Sequence, residues 1–166
     1  MASQYTKPYL DACVYIWPLA GPHSDDPQAP EKRRISREVI ELAEKGSFQV
    51  YASTLIETEV VRAPGQPPLS AVQEQAISGF FERNFFVWLE VDRLIAQKAR
   101  QLVRDHGWKG PDAIHVATAL RAECDQLLTW DGKLRKNQPS YTVEGLEICL
   151  PHTTGWQTSY LEPPGL

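Results

Sequence analysis

The segment Gly110-Pro111-Asp112-Ala113-Ile114-His115-Val116-Ala117-Thr118-Ala119-Leu120 reads as a helix with almost no wet side. Pro111 presets φ for a first helical turn, where its missing N–H costs nothing. Ala113, Val116, Ala117 and Leu120 recur at the three- and four-residue spacing of one face, and the remaining positions are small or apolar, so the helix is expected to be buried. Asp112 lies in the first turn, where the unpaired N–H groups and the helix dipole favour a negative charge by about 0.3–1 kcal/mol. Taken alone it is an inexpensive cap. Only partners elsewhere in the chain can make it more than that.

Outward from this helix the pattern alternates. Before it, Asp92 to Asp105 carries Leu94, Ile95, Ala99, Leu102 and Val103 on one side, a helix closed by His106-Gly107. After it, Gln126 to Thr129 is a short apolar strand with Asp131-Gly132 turning the chain just beyond, and Leu146 to Leu150 is another strand before Pro151. Near the N-terminus, Tyr9 to Ile16 (YLDACVYI) has strand composition, with Asp11 where the strand should end. Glu31 to Lys45 is an amphipathic helix stopped by Gly46. Phe48 to Ala52 is a strand, and Ser53 or Thr54 can cap a helix through Ile56, Glu59 and Val60 to about Arg62. Beyond the breaker APGQPP, Leu69 to Arg83 is a helix and Phe85 to Leu89 a strand. This alternation predicts an α/β fold, a three-layer α/β/α sandwich with a mostly parallel central sheet. It forms a single domain over residues 1–150, followed by an irregular tail, 151–166, packed through Trp156 or Tyr160.

Composition sets outer bounds. The 166 residues, 42% hydrophobic and 23% charged, suit one ordinary globular domain. Cys13, Cys124 and Cys149 have no metal-binding spacing; their odd number, with no signal-peptide core in MASQYTKPY, points to buried thiols and a cytoplasmic location. No apolar run approaches the length of about 20 residues that a membrane helix needs, so no membrane partner is expected. A net charge of −4 argues against coating nucleic acid by bulk charge, unless the acids are gathered in a metal site. Lys32, Arg33, Arg34 and Arg37, and again Lys133, Arg135 and Lys136, form local basic runs of the kind usually found on solvated faces. His23, Asp25 and Asp26 sit in a Pro-rich polar loop, which collects such residues without building a site.

Asp11 and Asp131 fall just past strands; Glu59 and Asp112 fall in early helical turns. In open parallel sheets ligands bind beyond the carboxyl ends of the strands, and all four acids can reach that edge. Two carboxylates about 5 Å apart repel by roughly 3 kcal/mol at an effective dielectric of 20, and a hard divalent cation reverses that sign. Oxygen-only ligands favour magnesium or manganese, and no Cys/His cluster competes.

The motifs YLDACVYI, STLIETEVV and ARQLVRDHGWKGPDAIHVATALRAECDQLLTWDGKL together resemble the PIN-domain ribonucleases, in particular the VapC-type toxins of bacterial toxin–antitoxin pairs. The resemblance covers most of residues 8 to 150 and is strongest after Asp92. It implies that Asp11 is the first acid, Glu59 the second, Asp112 the acid of the DA-x-x-x-A-T-A helix and Asp131 that of the Thr-x-Asp turn, with Thr129 supplying the hydroxyl. Asp11 and Asp112 would be the main ligands of Mg2+ or Mn2+, with Glu59 and Asp131 holding a second ion or metal-bound waters. Glu57 is two residues from Glu59 and points about 200° away on a helix, so only one can serve; Glu59 is preferred. The implied activity is metal-dependent endonucleolytic hydrolysis of RNA, with Arg62, Lys133 and Arg135 as rim contacts to phosphate. The implied partners are an RNA substrate, a cognate antitoxin filling the cleft, and a second copy in a homodimer or higher oligomer.

Two positions depart from the pattern. The family usually carries Thr or Ser and then Asn or Ser after the first Asp, where this chain has Ala12 and Cys13, so a group orienting Asp11 is expected to be missing. Trp130 stands where a polar or basic residue is common. These departures and the acidic balance leave one alternative of a different class, a PIN scaffold that binds RNA or protein without cutting. A phosphatase of another α/β family is weaker, because no second Asp follows Asp11 two residues on. His115, one turn after Asp112, reads as a packed, hydrogen-bonded core histidine rather than a catalytic base.

Overall fold

In the computed structural model, which describes residues 7–19, 24–63 and 65–156, the first strand is only Pro8–Leu10 (β1). The expected strand through Ile16 is corrected here: Ala12–Ile16 is a helix (α1). Asp11 ends the strand and caps the helix, accepting the Ala12 N–H at 2.8 Å. The sequence misleads because α1 buries Ala12, Val14 and Tyr15 within little more than one turn, too short for a helical period to show.

Ala29–Glu44 forms α2, with Pro30 in its first turn and Val39 and Ala43 buried. Lys32 on this helix pairs with Asp26 at 2.7 Å, so the loop acid anchors α2; His23 lies outside the described residues. Val50–Ser53 is β2. The helix expected as far as Arg62 is a single turn, Ile56–Glu59 (α3), broken where Val60 takes ψ 68°. Ala71–Phe81 (α4) opens on a capping box in which Ser70 and Gln73 exchange hydrogen bonds. Phe86–Leu89 (β3) is held against α4 by edge-to-face aromatic contacts such as Phe80–Phe86, with ring centroids 5.3 Å apart.

Arg93–His106 (α5) is capped by Asp92 and ends on Gly107 at φ 71°. Gly110–Arg121 (α6) packs against α5 and across β2. Gln126–Leu128 is β4. Ser140–Val143 (β5), a strand absent from the sequence expectation, pairs antiparallel with Leu146–Cys149 (β6). Trp156 packs on the Phe48 ring at 4.7 Å; Tyr160 lies outside the described residues.

The six strands lie in the order β3-β2-β1-β4-β6-β5, parallel except for β5. Every residue of β1 and β4 is buried, so both faces of the sheet centre are covered by helices, as the sandwich requires. The chain winds outward from β1 through β2 to β3, then returns to lay β4 on the other side of β1. The carboxyl ends of β1 and β4 therefore flank the point where strand order reverses, and a crevice opens at such a point.

Candidate active site

Asp11 follows β1 directly, and Thr129 and Asp131 follow β4, so the two sides of the switch point each deliver an acid. Asp11 is 8% exposed and its carboxylate is pinned from three directions. The Ala12 N–H reaches Oδ1 at 2.8 Å; the Thr129 hydroxyl donates to Oδ2 at 2.7 Å and the Cys13 thiol to Oδ2 at 3.2 Å. The same Thr129 oxygen accepts the Asp131 N–H at 2.9 Å, so one hydroxyl sets the positions of two acids. Asp131 Oδ1 in turn accepts the Lys133 N–H at 2.7 Å, closing the turn on itself.

The expectation that Ala12-Cys13 leaves Asp11 without an orienting group is corrected by this geometry. Cys13 donates to the carboxylate, accepts the Trp130 N–H at 3.2 Å and lies 3.4 Å from the Thr129 hydroxyl. Burial, and then the Asp11 charge, hold its thiol well above the usual cysteine range, so it acts as a neutral donor. Trp130 is turned away from solvent chemistry: its indole N–H donates to Ser36 on α2 at 2.9 Å.

Asp112 sits in the first turn of α6, but no side chain caps that helix; its preceding residue, Lys109, makes no capping bond. Burial raises the Asp112 pKa above the usual aspartate value, and the charges of Asp11, Asp131 and Glu59 raise it further, against a smaller opposing effect of His115. Asp11, Asp131 and Glu59 are thus close enough to Asp112 for their charges to act on it. A residue held there only as a cap would gain from its ionisation, whereas here ionisation is opposed.

Glu59 comes from α3 and meets a histidine. His115 Nε2–H donates to Glu59 Oε2 at 2.6 Å, and the same nitrogen lies 3.7 Å from Asp11 Oδ1. His115 Nδ1 shares a 2.7 Å hydrogen bond with the Tyr9 hydroxyl, which accepts the Ser53 N–H at 3.1 Å. Burial disfavours the charged imidazolium, but the Glu59 hydrogen bond and the charges of Asp11, Glu59 and Asp112 outweigh it and leave the His115 pKa above its ordinary value. Glu57 faces elsewhere, into a cleft with Phe81, Glu82 and Trp88, and is not among the groups that act on Asp112. His115 is the packed, hydrogen-bonded core histidine the sequence suggests, but its partners Tyr9 and Glu59 were not foreseen. The only signal was a polar residue inside an otherwise apolar helix.

Of the expected rim cations, Arg62 and Lys133 are exposed, while Arg135 is half-buried and donates to the Gln138 carbonyl. The oxygen donors that Asp11, Glu59, Asp112 and Asp131 offer are of the kind a hard divalent cation takes. Among the described residues no three His, Cys, Asp or Glu side chains are already arranged to hold an ion. The hydrogen bonds explain this: Asp11 and Glu59 are each turned toward protein donors.

A mostly parallel α/β sandwich with an acidic centre at its switch point is the class that fold and site define. The PIN domain family model matches residues 9–138, and the chain belongs to that family. Two solved structures share the fold. A chain from "Toxin-antitoxin complex from Klebsiella pneumoniae" is 20% identical, with a TM-score of 0.56, covering 87% of this chain and 98% of its own. Mycobacterium tuberculosis VapC20, titled a sarcin-ricin loop cleaving toxin, is 14% identical, with a TM-score of 0.56, covering 78% and 94%. A comparison with curated protein sequences gives no match.

Proposed function

We propose that the protein is a metal-dependent endoribonuclease, the toxin of a toxin–antitoxin pair, acting in the cytoplasm. The observation that carries this reading is geometric: the Asp11 carboxylate and the Asp131 backbone share the Thr129 hydroxyl at 2.7 and 2.9 Å, and His115 Nε2 lies 2.6 Å from Glu59 and 3.7 Å from Asp11, which draws these acids toward the switch point. Carboxylates drawn together in this way favour a counter-ion. Asp11 and Asp112 would hold Mg2+ or Mn2+, with Glu59 and Asp131 completing the set. When bound, such an ion lowers the pKa of a water and neutralises charge that develops on phosphoryl oxygens.

The chain's own residues do the rest. Thr129, Cys13 and the Ala12 N–H fix the Asp11 carboxylate, so the acceptor site that an ion would take is on Oδ1. Arg62 and Lys133, exposed near the acids, would draw the phosphate backbone past a centre that otherwise repels it. The fold shared with a chain of a toxin–antitoxin complex supports a cognate antitoxin as partner; a homodimer or higher oligomer is the assembly proposed with it. The likeness to VapC20 supports a structured RNA loop as substrate.

The test is cleavage of an end-labelled RNA stem-loop by purified protein. Wild type is expected to cut with Mg2+ or Mn2+ and not with EDTA; Asp112→Asn should fold normally and lose at least about 100-fold in rate. Equal cutting by the two proteins would overturn the reading. One observation favours the second reading, a PIN scaffold that binds without cutting: no three acids stand ready for an ion among the described residues. Stem-loop binding by wild type, with no cutting under any divalent ion, would establish it.

A further inference from the structure

Glu59 stands on weak ground. Its helix, α3, has a single turn, no side-chain N-cap, and breaks at the next residue. An isolated turn of this length has no stability of its own, because it fixes several residues for one or two hydrogen bonds. Yet Glu59, 27% exposed at its side chain, is held at 2.6 Å by a histidine that is 1% exposed. Behind His115 the support continues: the Tyr9 hydroxyl at 2.7 Å, itself fully buried, and behind Tyr9 the Ser53 N–H of β2 at 3.1 Å. Ser53 also receives the Leu55 N–H on its hydroxyl, so the line closes on the residues that lead into α3.

We propose that Tyr9 and His115 are positioning residues for divalent-cation binding: the buried line Ser53–Tyr9–His115 fixes the Glu59 carboxylate in the acidic centre, and selects Glu59 over Glu57. This rests on the metal-dependent nuclease reading and goes beyond it, because neither residue would touch the ion or the RNA. The hydrogen bond occupies Glu59 Oε2 from the protein side, so a cation would take Oε1. Neighbouring groups that hydrogen-bond a ligating carboxylate fix its direction, and losing one typically costs about 10–100-fold in metal affinity. In the neutral ring, Nε2–H must be the donor to Glu59, so Nδ1 accepts from the Tyr9 hydroxyl, and that bond sets the ring's tautomer and tilt.

The test titrates Mn2+ alone into wild type, His115→Leu, His115→Gln and Tyr9→Phe, by calorimetry, after circular dichroism has checked folding. His115→Leu keeps the volume and removes the donor; it should weaken Mn2+ about 10–100-fold. His115→Gln restores an N–H near the Nε2 position and should recover most of that loss, which a merely structural role would not predict. Tyr9→Phe should weaken Mn2+ in the same direction by releasing the ring. With RNA as substrate, kcat should fall while KM stays within about twofold, since only the acid's position changes. If His115→Leu does not fold, the comparison of His115→Gln with Tyr9→Phe decides. Mn2+ binding unchanged in His115→Leu or Tyr9→Phe, or His115→Gln no better than His115→Leu, overturns the inference and leaves the nuclease reading standing. Wild type that neither binds Mn2+ nor cuts RNA overturns the underlying reading and the inference with it.

Discussion

Thr129 illustrates how much one hydroxyl can carry. It donates to Asp11 and accepts from the Asp131 backbone, and it is fully buried. Thr129→Val keeps the shape but removes one of two donors to Asp11 Oδ2 and the acceptor of the Asp131 N–H, a loss of about 1–3 kcal/mol. In thermal melts that corresponds to about 2–4 °C per kcal/mol for a chain of this size. Thr129→Ser should melt close to wild type. Asp112 behaves in the opposite sense. Its folded-state pKa lies above the free value of 3.8, so the native protein holds the proton more tightly than the unfolded chain. Stability from this group therefore falls as pH rises from 3.8 through the raised value, and the cost persists at neutral pH until a cation offsets it. The four acids were readable because each follows a strand end or opens a helix. Cys13 and His115 were not, because their partners are set by the fold: a thiol two residues past an aspartate shows nothing of Thr129, which lies across the sheet.

At the scale of elements, the long helices α2, α5 and α6 and the strands β2 to β4 follow from periodicity and punctuation, and they lie within a few residues of where the sequence puts them. The short ones do not. α1 is hidden because a buried turn has strand-like composition, and α3 shrinks to one turn because Val60 leaves helical geometry. β5 is a half-exposed edge strand of mixed polarity, Ser-Tyr-Thr-Val, with no alternation to announce it. Its register depends on the Glu144-Gly145 turn, where both residues have positive φ, 48° and 87°. A Cβ at Gly145 meets nothing within 4 Å, so Gly145→Ala tests backbone conformation alone. It should destabilise by about 1–2 kcal/mol, read from the denaturant midpoint, and leave Mn2+ binding unchanged, because the β5–β6 hairpin lies on the sheet edge beyond β4.

Across the whole molecule, sheet order is what converts scattered acids into a centre. Asp11, Glu59, Asp112 and Asp131 are far apart in sequence, and the reversal between β1 and β4 gathers them, with α6 laid across β2 to bring Asp112 in. Fold class was legible in the alternation of helices and strands, and placing strand ends at one edge is what makes the acidic set the proposed site. The bracing of that set was not, because it comes from β1 and α6 meeting in the interior. The account makes the acidic centre a source of instability that only a cation relieves. Melting wild type and Asp112→Asn at neutral pH, with EDTA and with Mn2+, tests that directly. Without metal, Asp112→Asn should melt higher than wild type; with Mn2+ at about 100 times its Kd, wild type should gain roughly 2.7 kcal/mol, about 5–10 °C, and the variant little. A variant that melts lower than wild type without metal, or two proteins that respond equally to Mn2+, would contradict it.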